Sequence, residues 1–325
     1  MAGRALGLAP VAPPPHAFAV DGAELRYAGF RRDGEVWALA RTAAVPLAPD
    51  TFAQGLLGGP VKEPGVVRAA VESLLAEAGG PVREASLVVP DAWLRVAFTD
   101  VAELPAGAAG DDVLRWKLKR LVPFRVDELR LSAVEVAPLP EQSTEEPHRV
   151  LLGFAIEQLL AELEDAFEAA GVRLGRVTNA GLATLAALAR PVAPGGEGGD
   201  LEAVARVERE GYTLAFARAG EPVLYRYKSF AESLPPSALG GFIHRDLRLT
   251  RSFLAEQLPA ATLSRIVVAA PPEDEPSWVE WLEGGLEARA EPLRRDHLPP
   301  VEAGAPAPSW RVLAPLLGAA RQEVA

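Results

Sequence analysis

Few side chains in this sequence have the type and spacing that chemistry requires. The four histidines are His16, His148, His244 and His297, and none stands four residues from another, the helical spacing at which two imidazoles grip zinc. Each therefore reads as an isolated structural residue. There is no cysteine, which excludes thiolate nucleophiles, disulfides and cysteine-ligated metals. Asp127 and Glu128 are neighbouring carboxylates, but adjacent residues of a strand point to opposite faces, so they read as a solvated turn. Gly79-Gly80, Gly195-Gly196 and Gly198-Gly199 lack the Lys-Ser/Thr of a phosphate-cradling loop and read as a helix cap and a linker. The six tryptophans show no regular spacing that would suggest a base-stacking platform. What remains is a basic stretch with one aromatic: Arg115, Trp116, Lys117, Lys119 and Arg120, followed by Pro123-Phe124. It is either a solvated helix face or a contact for an acidic partner or anionic lipid. Trp116 is expected to support the core beneath that helix, so that truncating it would risk unfolding.

Composition narrows the class. The chain has 325 residues, 49% of them hydrophobic, enough for two domains with a sizeable core. A net charge of −11 argues against general nucleic-acid binding. No run approaches the roughly 20 apolar residues of a membrane span. Residues 1–15, with Pro13-Pro14-Pro15, read as a flexible tail and make a poor secretory leader, so the expected location is the cytoplasm.

The elements that must position any site follow from period and punctuation. Extended runs at Ala17–Val20, Glu24–Arg31 and Glu35–Thr42 are separated by the hairpin signals Asp21-Gly22 and Asp33-Gly34. A helix at Val66–Ala78 leads to a short buried strand, Ala85–Val89, ending at Pro90. The middle reads strand (94–101), helix (113–122, with Asp111 or Asp112 as cap), strands (129–136 and 150–156) and helix (157–170) closed by Gly171. A further Ala-rich helix covers Asn179–Ala189. After a Pro/Gly linker, a second set of three extended runs falls at 201–208, 212–218 and 222–228. Then come a helix (238–257), a strand (265–269), a helix (278–282), a short strand (286–290), a loop and a closing helix (310–321). Two halves that each open on a meander are what a duplicated α/β fold of the actin and sugar-kinase type would produce. The expected division is a tail at 1–15, a first lobe at 16–190 with an inserted βαββα subdomain at about 92–178, a linker at 191–200 and a second lobe at 201–325.

Four segments carry a resemblance to a known family. They are Ala85-Ser86-Leu87-Val88-Val89-Pro90; Asp112 through Pro123-Phe124 to Val134; Val150–Ile156 with Ala169-Ala170-Gly171-Val172 and Thr178–Ala183; and Ile243–Phe253 followed by Ile266–Ala269. In order and spacing these resemble PilM, the cytoplasmic actin-like protein of type IV pilus assembly. The resemblance implies an actin-like (ribonuclease H-like) duplicated fold. It also implies a peptide-binding role at the inner membrane: in the family, the N-terminal tail of the bitopic membrane protein PilN docks beside the inserted subdomain. Mapped here, the docking surface would use Arg115, Trp116, Lys117, Lys119, Arg120 and Phe124.

The chain departs from the family where a nucleotide would be held. Alignment on the first strand puts Ala19 at the family's Asp, Asp21-Gly22-Ala23-Glu24 across its Gly/Ser-rich turn, and Arg26 at its Lys. Alanine cannot order magnesium, and Glu24 would repel phosphate. Near the second phosphate loop Gly211 is kept, but the preceding Arg206–Glu210 loses the register. Where the family has Gly-Gly, Ala270-Pro271-Pro272 is followed by three acids, and the prolines remove donors. The expectation is a pseudo-ATPase with no cofactor, neither ATP nor magnesium. Its partners would be a PilN-like tail and other pilus components. The alternatives are an active ATPase of the same fold and the cytoplasmic L-type component of a type II secretion system.

Overall fold

The computed structural model describes residues 13–21, 23–33, 36–53, 57–103, 107–122, 125–137, 139, 148–188, 200–230, 235–303 and 309–321. Residues 1–12 of the expected tail, Gly22, Pro123-Phe124 and positions 191–199 of the expected linker lie outside them. The first meander forms as its hairpin signals direct. β1 (His16–Asp21), β2 (Glu24–Asp33) and β3 (Val36–Pro46) run antiparallel, with Asp21 opposite Glu24. The helix α1 (Pro64–Glu77) then returns the chain to β4 (Glu84–Val89), which lies parallel to β1. The second half repeats this with β9 (Asp200–Glu208), β10 (Gly211–Arg218) and β11 (Glu221–Ser229), Glu208 standing opposite Gly211. β12 (Thr262–Ala269) lies parallel to β9. The short β13 (Ala290–Pro292) closes the sheet β11-β10-β9-β12-β13. The first sheet has the matching order β3-β2-β1-β4-β8, where β8 is Arg173–Asn179, and gains β14 (Val301–Ala303) beside β3.

Between β4 and β8 the chain inserts β5 (Arg95–Val101), α2 (Ala108–Leu118), β6 (Leu129–Val136), β7 (His148–Ile156) and α3 (Glu157–Ala169), in the expected βαββα order. The three strands form their own sheet, β5-β7-β6, over a small core that includes Leu114, Leu118, Leu152 and Phe154. α3 turns back onto the first lobe, where Leu163 and Phe167 join Phe18 and Val71. Gly171 then ends it at φ 83, a left-handed conformation that glycine adopts without strain.

Strand alternation sorts the layers. On β1, Ala17 and Ala19 face one way and Phe18 and Val20 the other; on β9, Val204 faces against Ala203 and Ala205. The first set faces α4 (Ala180–Leu188) and α7 (Trp310–Arg321), which lie between the two sheets. The second set faces outward onto α1 and α3 in one lobe. In the other it meets α5 (Pro236–Gln257) and α6 (Glu275–Leu286). Small residues fill the middle layer because the helices cross closely. A Cβ on Gly318 of α7 would lie 1.7 Å from the Ala183 carbonyl oxygen of α4.

Beyond shifts of a few residues at element ends, four features differ from expectation. α2 covers 108–118 rather than 113–122, so Asp111 sits in its first turn and does not cap it. The buried Leu114 and Leu118, one turn apart, set this register, and Arg120 and Leu121 continue as turns. β8 was not expected, since Arg173, Gly175 and Arg176 dilute its apolar pattern. α6 runs through to Leu286, and Glu287, at φ 54, ends it where a strand was expected; the strand begins only at Ala290. Finally, the expected second lobe 201–325 does not keep to itself. β14 pairs with β3, and Leu313 and Leu316 of α7 share a core with Ala17 and Val88 of the first sheet.

Candidate functional site

The period that puts Ala19 and Val204 between the lobes also puts Asp21, Arg206 and Glu208 there, at the ends of β1 and β9. Arg206 is 3% exposed, and its Nε donates to Glu208 Oε1 at 3.2 Å. Its Nη1 donates to the Arg311 carbonyl on α7, while Arg311 Nη2 donates to the Val207 carbonyl. Arg311 and, across the hairpin, Arg26 each reach Asp21 Oδ2, at 3.8 and 3.6 Å, and Arg26 also bonds Glu24 two residues back on its own strand. From the other lobe's viewpoint, Glu208 Oε2 accepts the backbone N–H of Asp91, in the turn after β4, at 3.2 Å. Asp91 Oδ1 in turn accepts the Gly181 N–H at the start of α4 (2.9 Å) and the Tyr225 hydroxyl of β11 (2.5 Å). Asn179 caps α4 through Leu182 N–H and donates to Tyr225. Both lobes are thus joined by a continuous chain of charges and hydrogen bonds running through the cleft.

This network is buried, and its titration shows it. Burial pushes the Glu208 carboxyl up to about 7, Asp91 adding to the rise and Arg206 opposing it. Burial also raises Asp91, again against Arg206, and raises the Tyr225 hydroxyl. For Arg206, burial alone would lower the pKa, but Glu208, Asp21 and Asp91 outweigh it and keep the guanidinium charged. Because the folded Glu208 pKa lies above its unfolded value of 4.5, its contribution to stability is full below that value and is lost as pH rises through about 7. Glu208→Gln removes this term. Urea unfolding at about pH 5 and about pH 8 should therefore show wild type losing stability relative to the variant at the higher pH. A pH-independent difference would contradict the assignment.

The inserted sheet ties to the second lobe at its edge. Arg149 of β7 donates through Nη2 to the Val223 carbonyl of β11 at 2.6 Å, and the Arg95 guanidinium of β5 lies 4.0 Å over the Tyr227 ring. Asn179 adds a bond to the Leu94 carbonyl.

The sequence-derived positions fall as follows. Ala19 is buried in the inter-lobe layer, and Asp21 and Arg26 are engaged with each other. Gly211 opens β10, where a Cβ would lie 2.3 Å from the Lys228 carbonyl oxygen, so strand packing itself calls for glycine there. Ala270 is buried, and the Pro271 carbonyl accepts the N–H groups of Asp274 and Glu275, starting α6. Glu275 is bound by Arg294 at 2.8 Å. Of the basic set on α2, Arg115 is a strut, since its Nη1 donates to the Val126 and Leu129 carbonyls. Trp116, expected to support the core, is instead 57% exposed, with the Arg120 guanidinium 5.0 Å from its ring. Lys119 and Leu121 are exposed beside it. The sequence reading passed over Asp91, Tyr225 and Arg311, and took Arg206 and Glu208 only as a phosphate loop out of register; their i, i+2 spacing on one strand is the signal that could have found that pair. Among the described residues, no group of three His, Asp or Glu could hold a metal ion, and no helix is long and apolar enough to cross a membrane.

Two sheets of the same order, a meander followed by parallel strands, facing each other across two helices, define the duplicated actin-like architecture. No family model and no curated protein matches the chain. Among solved structures, a chain of the PilM–PilN type IV pilus biogenesis complex superposes with a TM-score of 0.73 at 17% identity, covering 95% of this chain and 97% of that one. The cytoplasmic domain of EpsL, an inner-membrane component of the type II secretion system of Vibrio cholerae, covers 94% and 93% at 12% identity, with a TM-score of 0.48. A Bacteroides thetaiotaomicron protein with an actin-like ATPase fold scores 0.49 at 8% identity over 93% and 94%. Only the first of these carries weight, and it establishes the fold: the chain has a PilM-like actin fold.

Proposed function

We propose that this chain is a non-catalytic scaffold of a type IV pilus assembly or related secretion machine. It acts at the cytoplasmic face of an inner membrane by capturing the N-terminal tail of a PilN-like bitopic protein. The observation that carries the reading is the ion network in the inter-lobe cleft. An actin-like nucleotide needs backbone N–H groups and a cation facing its phosphates, and a carboxylate to order magnesium. Here Ala19 replaces the carboxylate, and Arg26, Arg206 and Arg311 are already committed to Asp21, Glu208 and backbone carbonyls. The residues present do not fit ATP and magnesium. The whole-length likeness to a chain of the PilM–PilN complex supports the choice of machine.

Millimolar ATP with magnesium is expected to leave the melting temperature where the same ionic strength of salt leaves it, because only a ligand that binds the native state stabilises it. A clear rise specific to ATP and magnesium would end the pseudo-ATPase reading. For the capture role, the exposed Trp116, Lys119 and Arg120 are the probes. Trp116→Ala and the double reversal Lys119→Glu with Arg120→Glu should weaken capture of the PilN-like tail about tenfold or more without changing the melting temperature, since exposed positions cost little stability. Unchanged capture by both variants would remove this face from the proposal; failure of the wild-type chain to bind the tail would remove the adaptor role.

A further inference from the structure

Among the described residues, four large hydrophobic side chains stand out on the surface: Trp116, Leu121, Leu249 and Phe253. The first two lie by the face already discussed. Leu249 and Phe253, 60% and 40% exposed, lie far along the sequence on α5, one helical turn apart. The inner side of the same helix is fully engaged: Ile243 and Leu247 are buried on the second sheet, and Asp246 accepts from Tyr212 and Arg226. The outer side is not. Arg245 and Arg248 flank the apolar pair on the N-terminal side and Glu256 on the C-terminal side; all three are exposed. Among the described residues none of the three has an ion-pair or hydrogen-bond partner. This contrasts with Arg251 on the same helix, which is paired with Glu287.

The order of these residues is self-complementary. The stripe reads cation, Leu249, Phe253, anion. The midpoint of Arg245 and Glu256 nearly coincides with the midpoint of Leu249 and Phe253. Turned end for end about a two-fold axis through that midpoint, a second α5 places its Glu256 opposite Arg245, its Arg245 opposite Glu256, and its apolar pair against this one. We propose that α5 is a dimerisation face whose occupant is a second copy of this chain, packed antiparallel. A closed two-fold contact requires one patch that complements itself, and α5 carries both signs of charge and the apolar centre in the needed sequence. The overall charge of −11 gives two copies a general repulsion, so the free arginines are where an approaching copy meets attraction. One helix pair buries less than the roughly 1,200 Å² of a stable interface, so the dimer forms at high protein concentration or where copies are gathered on a surface.

Sedimentation velocity on the full chain, from micromolar to about millimolar protein, tests this. Wild type should shift from monomer to dimer across the range. Leu249→Asp should stay monomeric throughout. Arg245→Glu and Glu256→Arg should each weaken association about tenfold, and the charge-swapped double variant should recover most of the wild-type affinity, because both cross-axis pairs are restored with reversed sign. Recovery of circular dichroism and melting temperature to wild-type values in each variant shows that folding is not what changed. A wild-type chain that remains monomeric at the highest concentration would overturn the proposal, as would a dimer that ignores Leu249→Asp or a double variant no better than the worse single one.

Discussion

Replacing Arg206 with alanine is expected to cost about 3–5 kcal/mol of unfolding free energy, measured by urea titration. Arg206 is the cation of the buried cleft. Without it, Glu208 loses its ion pair with Arg206 and Asp91 loses the charge that opposes its burial. A buried carboxylate left without a counter-charge is among the most damaging changes a core can undergo. The loss should be smaller at low pH, where both acids accept protons, and larger above the Glu208 titration near 7. Substituting the pair together, Arg206→Met with Glu208→Met, should recover the share of the loss that comes from Glu208, since an apolar pair of similar volume carries no desolvation penalty, while Asp91 still lacks the opposing charge. A single variant that costs less than about 1 kcal/mol would mean the network contributes little to holding the lobes.

The second large effect is expected from one methyl group. Gly318→Ala would bring a Cβ to 1.7 Å from the Ala183 carbonyl oxygen and 3.0 Å from the Ala187 backbone nitrogen. Both obstacles are backbone, so no rotamer change relieves them, and α4 and α7 must separate. Because these helices form the layer between the two sheets, the cost should reach about 3 kcal/mol or more, the upper end for overpacked cores. Gly284→Ala in α6 is the control. Its Cβ meets nothing within 4 Å, so the variant should gain up to about 1 kcal/mol through helix propensity. A Gly318→Ala chain as stable as wild type would show that the helix crossing is looser than described.

The sequence by itself determined the local parts of this protein. The two meanders are legible in the Asp21-Gly22 and Gly211 punctuation, whereas β1 and the middle of β9, Ala203–Ala205, are apolar on both faces, so only the structure assigns Ala17, Ala19 and Val204 to one layer and Phe18 and Ala203 to the other. Turn signals are local: a turn residue acts over a few positions. The repeated order of elements, and with it the actin-like architecture, could be read from them. The tertiary structure alone decided which distant segments pair. β8 has a weak pattern and exists because β4 offers it an edge; β14 and α7 cross back to the first lobe because the buried faces of Val301, Leu313 and Leu316 find their cover there. The cleft network joins residues as distant as Asp21, Asp91, Glu208, Tyr225 and Arg311, whose partners are set by sheet order and not by spacing along the chain. Exposure was likewise undecidable in advance. Trp116 and Leu118 lie two positions apart on α2, yet the first lies in water and the second is fully buried, because side chains two apart on a helix point to different sides and only the neighbouring sheet determines which side is inside.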